Sequence, residues 1–364
     1  MAEKAGVQSG ALTGRPDTRY DGADATGGPS SLPFVSVIMP VRNERAYIER
    51  SLGAVLGQDY PAELMEVIIA DGMSTDGTRE ILQEMAGLDP RVRLLDNPRQ
   101  TAPCALNVAT AASRGDIVIR VDGHCEVARD YVDRCVHHLL EDGADGVGGS
   151  LVTIGEDDQA KAIAAAMSSS FGVGGAAFRT ARDITIMADT IPFPAYTRQI
   201  IAAAGPYDEE FTKNQDDEYN YRIRKLGGKL LLAADVHSVY YSRANLKSLA
   251  RQYYGYGLFK PRVFRKHPRQ MKLRQFVPGL FVMGLAVCLL LFPFSRWARR
   301  GFLTLLTMYA GASGLASVRT AAQTSWKHLP TLPAAFAALH FSYGTGFLVG
   351  LAGLLRRRAK APEE

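Results

Sequence analysis

From Val35 the chain alternates short β-branched runs with amphipathic stretches: VSVIM, a helical stretch to Gly57, EVIIA, a second helix, VRLLD, the helix PCALNVATAASRG, and DIVIRV. Apolar runs of this kind, each followed by a helix, bury both their faces inside a mostly parallel sheet covered by helices on either side. The expected fold class is therefore α/β with a mixed, mostly parallel sheet. In such a sheet the loops leaving the carboxyl ends of the strands converge on one crevice. Acids stand at those positions here, Asp71 directly after EVIIA and Asp122 directly after IVIRV. After His124 the rhythm loosens into the Gly-rich segments GVGGS and FGVGGAAF and a Pro-bearing stretch, IPFPAY. An acidic helix then opens near Asp216 and ends at Gly227, and GKLLLAADVHSVYY follows, with the pattern of two closing strands around a turn. The domain is expected over about residues 34–245.

Residues 1–33 are rich in Gly, Ala, Asp, Thr and Pro and lack the apolar run of a secretory signal, so they are expected to form a flexible, cytosolic leader. The net charge of +5 is mild, and both signs are mixed through the first 240 residues. That distribution is no nucleic-acid footprint, and no nucleic-acid partner is expected. The four cysteines, Cys104, Cys125, Cys135 and Cys288, form no CxxC pair and are expected to be reduced structural thiols.

The other end of the chain turns apolar. Residues 276–294 and 301–318 carry no charge, and 329–355 carries only His340. Such lengths suit a bilayer better than a globular core. Residues 276–355 are thus expected to be membrane-associated helices, preceded by a basic, aromatic interfacial segment over 246–275 and followed by a basic tail over 356–364. Three full spans would place Arg356, Arg357, Arg358 and Lys360 opposite the domain, against the positive-inside tendency, and Arg296, Arg299 and Arg300 raise the same objection. An interfacial or re-entrant 276–294 followed by a two-span hairpin returns all these cations to the cytosol, and is the reading preferred.

Four sets of residues are candidates for chemistry. Pro40, Arg42, Asn43 and Glu44 follow VSVIM, where backbone amides and a carboxylate could hold a base and ribose; a turn and helix start would use the same residues, Asn43 as a cap and Glu44 at the positive helix end. Asp71 could accept bonds from a base imide or ribose hydroxyls. Asp122 and His124 could hold a divalent ion whose other ligands are diphosphate oxygens and water, the sparse protein ligation that Mg²⁺ prefers. Gln215, Asp216, Asp217 and Glu218 open a helix whose macrodipole favours acids, yet three adjacent acids exceed what a cap needs. One of them could deprotonate an acceptor hydroxyl as general base. His237, on a strand, is either structural or a further approach to the metal.

This ordered set resembles glycosyltransferase family 2 with its Rossmann-like, A-type nucleotide-sugar fold, and most resembles the bacterial exopolysaccharide glucosyltransferases of succinoglycan biosynthesis. The likeness covers about residues 34–260. The family's P-x-x-N-E is met by Pro40, Asn43 and Glu44, its acidic nucleotide loop by Asp71 with Ser74, Asp76, Gly77 and Thr78, and its A-x-N segment by Ala105 to Asn107. Its D-x-D metal motif is met by Asp122, with His124 at the third position. The family's E-D pair falls on Gln215 and Asp216, which makes Asp216 the expected catalytic base and Asp217 its rival. Processive members carry Q-x-x-R-W; here Gln252 is followed by Tyr253, Tyr254, Gly255 and Tyr256, so transfer of one sugar is expected.

The resemblance implies an inverting transfer from a UDP-sugar donor, UDP-glucose, with Mg²⁺ or Mn²⁺, to a lipid-linked saccharide acceptor at the cytosolic face of a bacterial inner membrane. It implies nucleotide binding by Pro40, Arg42, Asn43, Glu44, Asp71, Asn107 and Asp122. Two rival readings are transfer to a polyprenyl phosphate and a catalytically silent, nucleotide-binding membrane scaffold.

Overall fold

The computed structural model describes residues 32–180 and 184–358; most of the expected leader, and the basic tail beyond Arg358, lie outside the described residues. The four apolar runs form β1 (Val35–Val41), β2 (Met65–Asp71), β3 (Val92–Asp96) and β4 (Ile117–Arg120), parallel and in the spatial order β3-β2-β1-β4. Between them run α1 (Ile48–Leu56), α2 (Thr78–Leu88) and α3 (Ala102–Ala112). α1 shows how the pattern works: Ile48, Leu52 and Val55 recur at helical spacing and are buried in the core of the sheet. The register sets Val41, Asp71 and Asp96 side by side at the carboxyl edge.

Beyond β4 come β5 (Cys125–Val127), α4 (Tyr131–Glu141), β6 (Gly146–Ile154), α5 (Asp158–Met167), α6 (Ser170–Val173), α7 (Ala177–Thr180), β7 (Ile186–Met187), β8 (Ala195–Thr197), α8 (Arg198–Ala204), α9 (Gln215–Lys225), β9 (Leu230–Tyr241) and α10 (Leu246–Lys266). β8 pairs antiparallel with both β4 and β6, β6 and β9 are parallel, and β5 and β7 are antiparallel to β9, so the sheet is mixed. The two closing strands expected over GKLLLAADVHSVYY are one strand of 12 residues, β9. What looked like a turn is a bulge. Gly149 pairs with Ala233 and the next residue, Ser150, with His237, so Ala234, Asp235 and Val236 arch over Gly149. A Cβ at that glycine would lie 1.7 Å from the Val236 carbonyl oxygen, so the crossing needs a residue without a side chain.

The tail forms α11 (Val277–Leu290), α12 (Arg296–Gln323) and α13 (Leu332–Arg358). Among the described residues, α12 and α13 are long and apolar enough to cross a bilayer, whereas α11, at 14 residues, is shorter. α13 carries a buried stripe: Leu332, Ala335, Phe336 and Leu339, at spacings of three and four, share a core with Ile163, Ala166 and Met167 of α5. Its next turns press on α10 at backbone distance.

Candidate active site

A cavity of about 270 Å³ opens at the carboxyl edge of the parallel strands. Its wall is assembled from seven separate pieces of chain: Pro40, Arg42 and Glu44 at and after the end of β1; Gly72 after β2; Asn97, Thr101 and Ala105 between the end of β3 and the first turn of α3; Arg120, Asp122 and His124 at the end of β4; Lys213, Gln215 and Asp216 at the start of α9; Tyr240 and Arg243 around the end of β9; and Gln252 and Tyr256 on α10.

Asp122 sits two residues past the last residue of β4, and Arg120 grips it, Nε to Oδ1 at 2.8 Å and Nη2 to Oδ2 at 3.1 Å. Burial alone would push the Asp122 carboxyl up, but the charge and hydrogen bonds of Arg120 outweigh it and hold the group below the usual carboxylate range. His124 Nδ1 lies 2.9 Å from Glu44 Oε1. With Nδ1–H donated to Glu44, Nε2 is the nitrogen that carries a lone pair, the orientation that carboxylate partners impose on metal-binding imidazoles. Among the described residues no three Asp, Glu, His or Cys side chains converge as a metal cage. Two donors on the wall, Asp122 and His124, suit an ion that completes its shell with phosphate oxygens and water.

The three acids of α9 meet three different fates. Glu218 is buried; burial would raise it, but hydrogen bonds from His267, Arg222 and Lys266 bring it down to about 2. Asp217 is ion-paired with the buried ammonium of Lys260. Asp216 alone lines the cavity, where burial first and the neighbouring Asp217 second push its carboxyl above the usual range, against the pull of Arg120. Two carboxylates on one cavity are thus driven apart, Asp122 kept ionised and Asp216 made more basic, the separation that distinguishes a charge holder from a proton acceptor.

Asn43, Asp71 and Asn107, expected to touch a nucleotide, spend their side chains on the loops around the cavity. Asn43, at a left-handed φ of 54°, accepts from Thr75 N at 2.9 Å, while its own N–H donates to Ser74 Oγ at 2.9 Å. Glu44 N donates to Thr78 Oγ1 at 2.8 Å, so the loops after β1 and β2 are stitched together. Asp71 is fully buried, accepting from Ser74 Oγ at 2.6 Å and Arg79 Nη1 at 2.9 Å, and its neighbour Gly72 is the residue on the wall. Asn107 clamps the chain before α9, donating to the Tyr207 carbonyl at 2.9 Å and accepting from Tyr207 N at 2.7 Å. His237 is exposed, with Nδ1 3.4 Å from Ser150 Oγ, and is not among the cavity residues.

Comparison with known proteins matches residues 36–201 to the family model "Glycosyl transferase family 2". The chain is 37% identical over 244 residues to the succinoglycan biosynthesis protein ExoA of Rhizobium meliloti, covering 66% of this chain and 73% of that one. The chain belongs to glycosyltransferase family 2. It is also 30% identical over 241 residues, 64% of this chain and 74% of the relative, to the dolichyl N-acetyl-alpha-D-glucosaminyl phosphate 3-beta-D-2,3-diacetamido-2,3-dideoxy-beta-D-glucuronosyltransferase of Methanococcus voltae. The mannosyltransferase PcManGT of Pyrobaculum calidifontis, solved with GDP-Man and Mn²⁺, shares the fold with a TM-score of 0.55 at 23% identity, over 88% of each chain.

In this family 2 domain, three cations of the wall, Arg120, Lys213 and Arg243, escaped the sequence reading, and Gln252 and Tyr256 were read in another role. Arg120 had a signal. An arginine inside a buried apolar run needs a partner of opposite charge, and Asp122 stands two residues on. Gln252 was weighed only as part of a chain-binding motif; it donates instead to the hydroxyls of Tyr240 and Tyr256 at 3.1 and 2.9 Å, fixing two aromatic walls. Lys213 and Arg243 lie on loops, where a lone cation carries no periodic mark.

Proposed function

We propose that this glycosyltransferase transfers one sugar, with inversion, from a UDP-sugar, UDP-glucose, to a lipid-linked saccharide in cell-surface polysaccharide synthesis. The observation that carries this reading is the single cavity lined by Asp122 and Asp216, whose carboxyls are shifted in opposite directions. The acceptor hydroxyl oxygen bonds to C1 as the bond from C1 to the diphosphate oxygen breaks. The hydroxyl proton passes to Asp216, and the electron pair leaves with UDP. Arg120, Lys213 and Arg243 offer positive charge on the same wall toward a diphosphate. Asp122 and His124 are the residues that would hold Mg²⁺ or Mn²⁺, which supplies Lewis-acid neutralisation of the departing diphosphate, an effect of several kcal/mol. PcManGT was solved with Mn²⁺, which supports that assignment.

Two features support the acceptor class. ExoA is named for succinoglycan biosynthesis and the Methanococcus relative for a dolichyl-linked saccharide phosphate. The apolar tail also supports a membrane-borne acceptor, since α10 lines the cavity and packs on α13, a helix long and apolar enough to cross a bilayer. The domain then lies on the cytosolic face of a bacterial inner membrane, with α12 and α13 as a hairpin whose arginine-bearing ends, Arg296 to Arg300 and Arg356 to Arg358, share that face. Labelled UDP-glucose offered with membranes containing lipid-linked oligosaccharide, and separately with polyprenyl phosphate, tests the reading. Label entering the oligosaccharide supports it; label entering only the polyprenyl phosphate, or neither, contradicts it.

A further inference from the structure

Lys260, in the second half of α10, is 5% exposed, and its ammonium is held by the Asp217 carboxylate. A lysine is enclosed to that degree only with a partner of opposite charge. The pair stands where three elements meet. On one side, Asp217 donates its backbone N–H to Asp216 Oδ1 at 2.9 Å. On the other, α10 touches α13 backbone to backbone: a Cβ on Gly257 would fall 2.1 Å from the Tyr343 carbonyl oxygen, and one on Gly346 2.2 Å from that of Tyr254. A second thread runs alongside. The Tyr343 hydroxyl donates to the Gln275 carbonyl at 3.1 Å, and Gln275 Nε2 donates to the hydroxyl of Tyr221, one turn beyond Asp217 in α9, at 3.1 Å.

We propose that Lys260 is a positioning residue for sugar transfer: it neutralises Asp217 and clamps the first turn of α9 onto the α10–α13 pair, leaving Asp216 as the carboxylate free to take the acceptor proton. The proposal rests on the reading of Asp216 as the base. Two adjacent carboxyls without a cation share protons and titrate as a pair, so neither is reliably the acceptor. With Lys260 in place, the Asp217 side chain is engaged in the ion pair and turned to α10, and the division of labour is built in. The other groups facing Asp216 are Arg120 on β4, Asp122 after it, Tyr196 on β8, Tyr207 and Lys213 before α9 and Tyr256 on α10, and those around Lys260 are Asp217, Tyr221 and Tyr343. All of them persist when Lys260 is replaced, so a changed pH response reports the loss of the Lys260 charge.

The test is the pH dependence of kcat/KM for the full-length protein, with UDP affinity measured alongside. In Lys260→Met the acid limb should move up by about one pH unit, a loss of about tenfold on that limb, with UDP affinity unchanged. Lys260→Arg should keep the parent profile. The double variant Lys260→Met with Asp217→Asn, which carries neither charge, should return the limb to the parent position, and it carries the test alone if the single variant does not fold. A Lys260→Met limb that coincides with the parent, or a double variant whose limb stays displaced, overturns the proposal. Asp216→Asn separates the two levels: transfer that persists in it removes the base assignment, whereas loss of transfer there with an unmoved Lys260→Met limb removes the role of Lys260 alone.

Discussion

The part of the domain up to β4 and the part beyond it are held together in different ways. In the first, the site loops are fastened by their own neighbours: Asn43 and Glu44 are stitched to Thr75 and Thr78, and Asp71 is satisfied by Ser74 and Arg79. In the second, the acids of α9 are partnered from α10, Asp217 by Lys260 and Glu218 by Lys266 and His267, and α10 is in turn braced by α13. The side of the cavity proposed for the donor is fastened largely by its own loops, whereas the side proposed to bear the base depends on the tail. Changes at the loops up to Asp122 should therefore appear in nucleotide affinity, and changes at the acids of α9 in turnover.

The largest expected effect lies on the second side. Asp216→Asn should cut transfer by about 10²- to 10⁴-fold, as loss of a general base does, while UDP binds with unchanged affinity. A parallel fall in affinity would erase the distinction between the two sides. The same variant has a stability signature. A carboxyl whose pKa is raised on folding stabilises the fold below its unfolded value and loses that contribution as pH rises through the folded value. Asp216→Asn should thus melt above the parent at neutral pH, with the gap closing in acid. On the first side, Asp122→Asn should weaken UDP binding in the presence of Mn²⁺ by about tenfold or more. Calorimetric titration with and without the ion checks this, and an unchanged metal-dependent increment would take Asp122 out of the metal site.

A smaller effect tests the brace itself. Gly346→Leu drives a side chain into the α10 backbone and should cost about 1–3 kcal/mol together with part of the turnover. Gly314→Leu on α12, where nothing lies within 4 Å, should leave the melting temperature unchanged. Equal behaviour of the two variants would mean that α13 supports the site no more than α12 does. Smallest in turnover is Glu218→Gln, whose effect falls on stability: it should lower stability above the ordinary glutamate value of 4.5, with the deficit fading as pH falls toward about 2. A thermal-unfolding series across that range measures it.

How much was legible follows the same division. β1, β2 and β4 could be read because each is a run of buried, mostly apolar residues next to a helix, and β3 because its short apolar run follows one; the edge positions of Asp71 and Asp122 follow from the strand ends. Beyond β4, long-range geometry takes over. The Gly149 crossing turned an apparent turn into a bulge, because only the partner strand shows why Ala234 to Val236 must arch. The first turn of α9 announced three acids, but only Lys260 and Lys266 of α10 and His267 after it sort them into a free carboxyl and two spoken for. In α13 the buried stripe from Leu332 to Leu339 was hidden by apolar residues on every face, so composition showed a membrane helix and not the contact that braces the site. Asn43, Asp71 and Asn107 stood out as polar groups at the right places; their side chains are engaged by the protein, a distinction that needs partners to be visible.

The central claim is that one sugar diphosphate spans the cavity between Asp122 and Asp216. A crystal structure of the Asp216→Asn protein with UDP-glucose and Mn²⁺ tests it most directly. The diphosphate should lie against Asp122, Arg120, Lys213 and Arg243, with the anomeric carbon turned toward residue 216. A nucleotide bound elsewhere, or a diphosphate lying against residue 216 with the sugar pointing away, would contradict it.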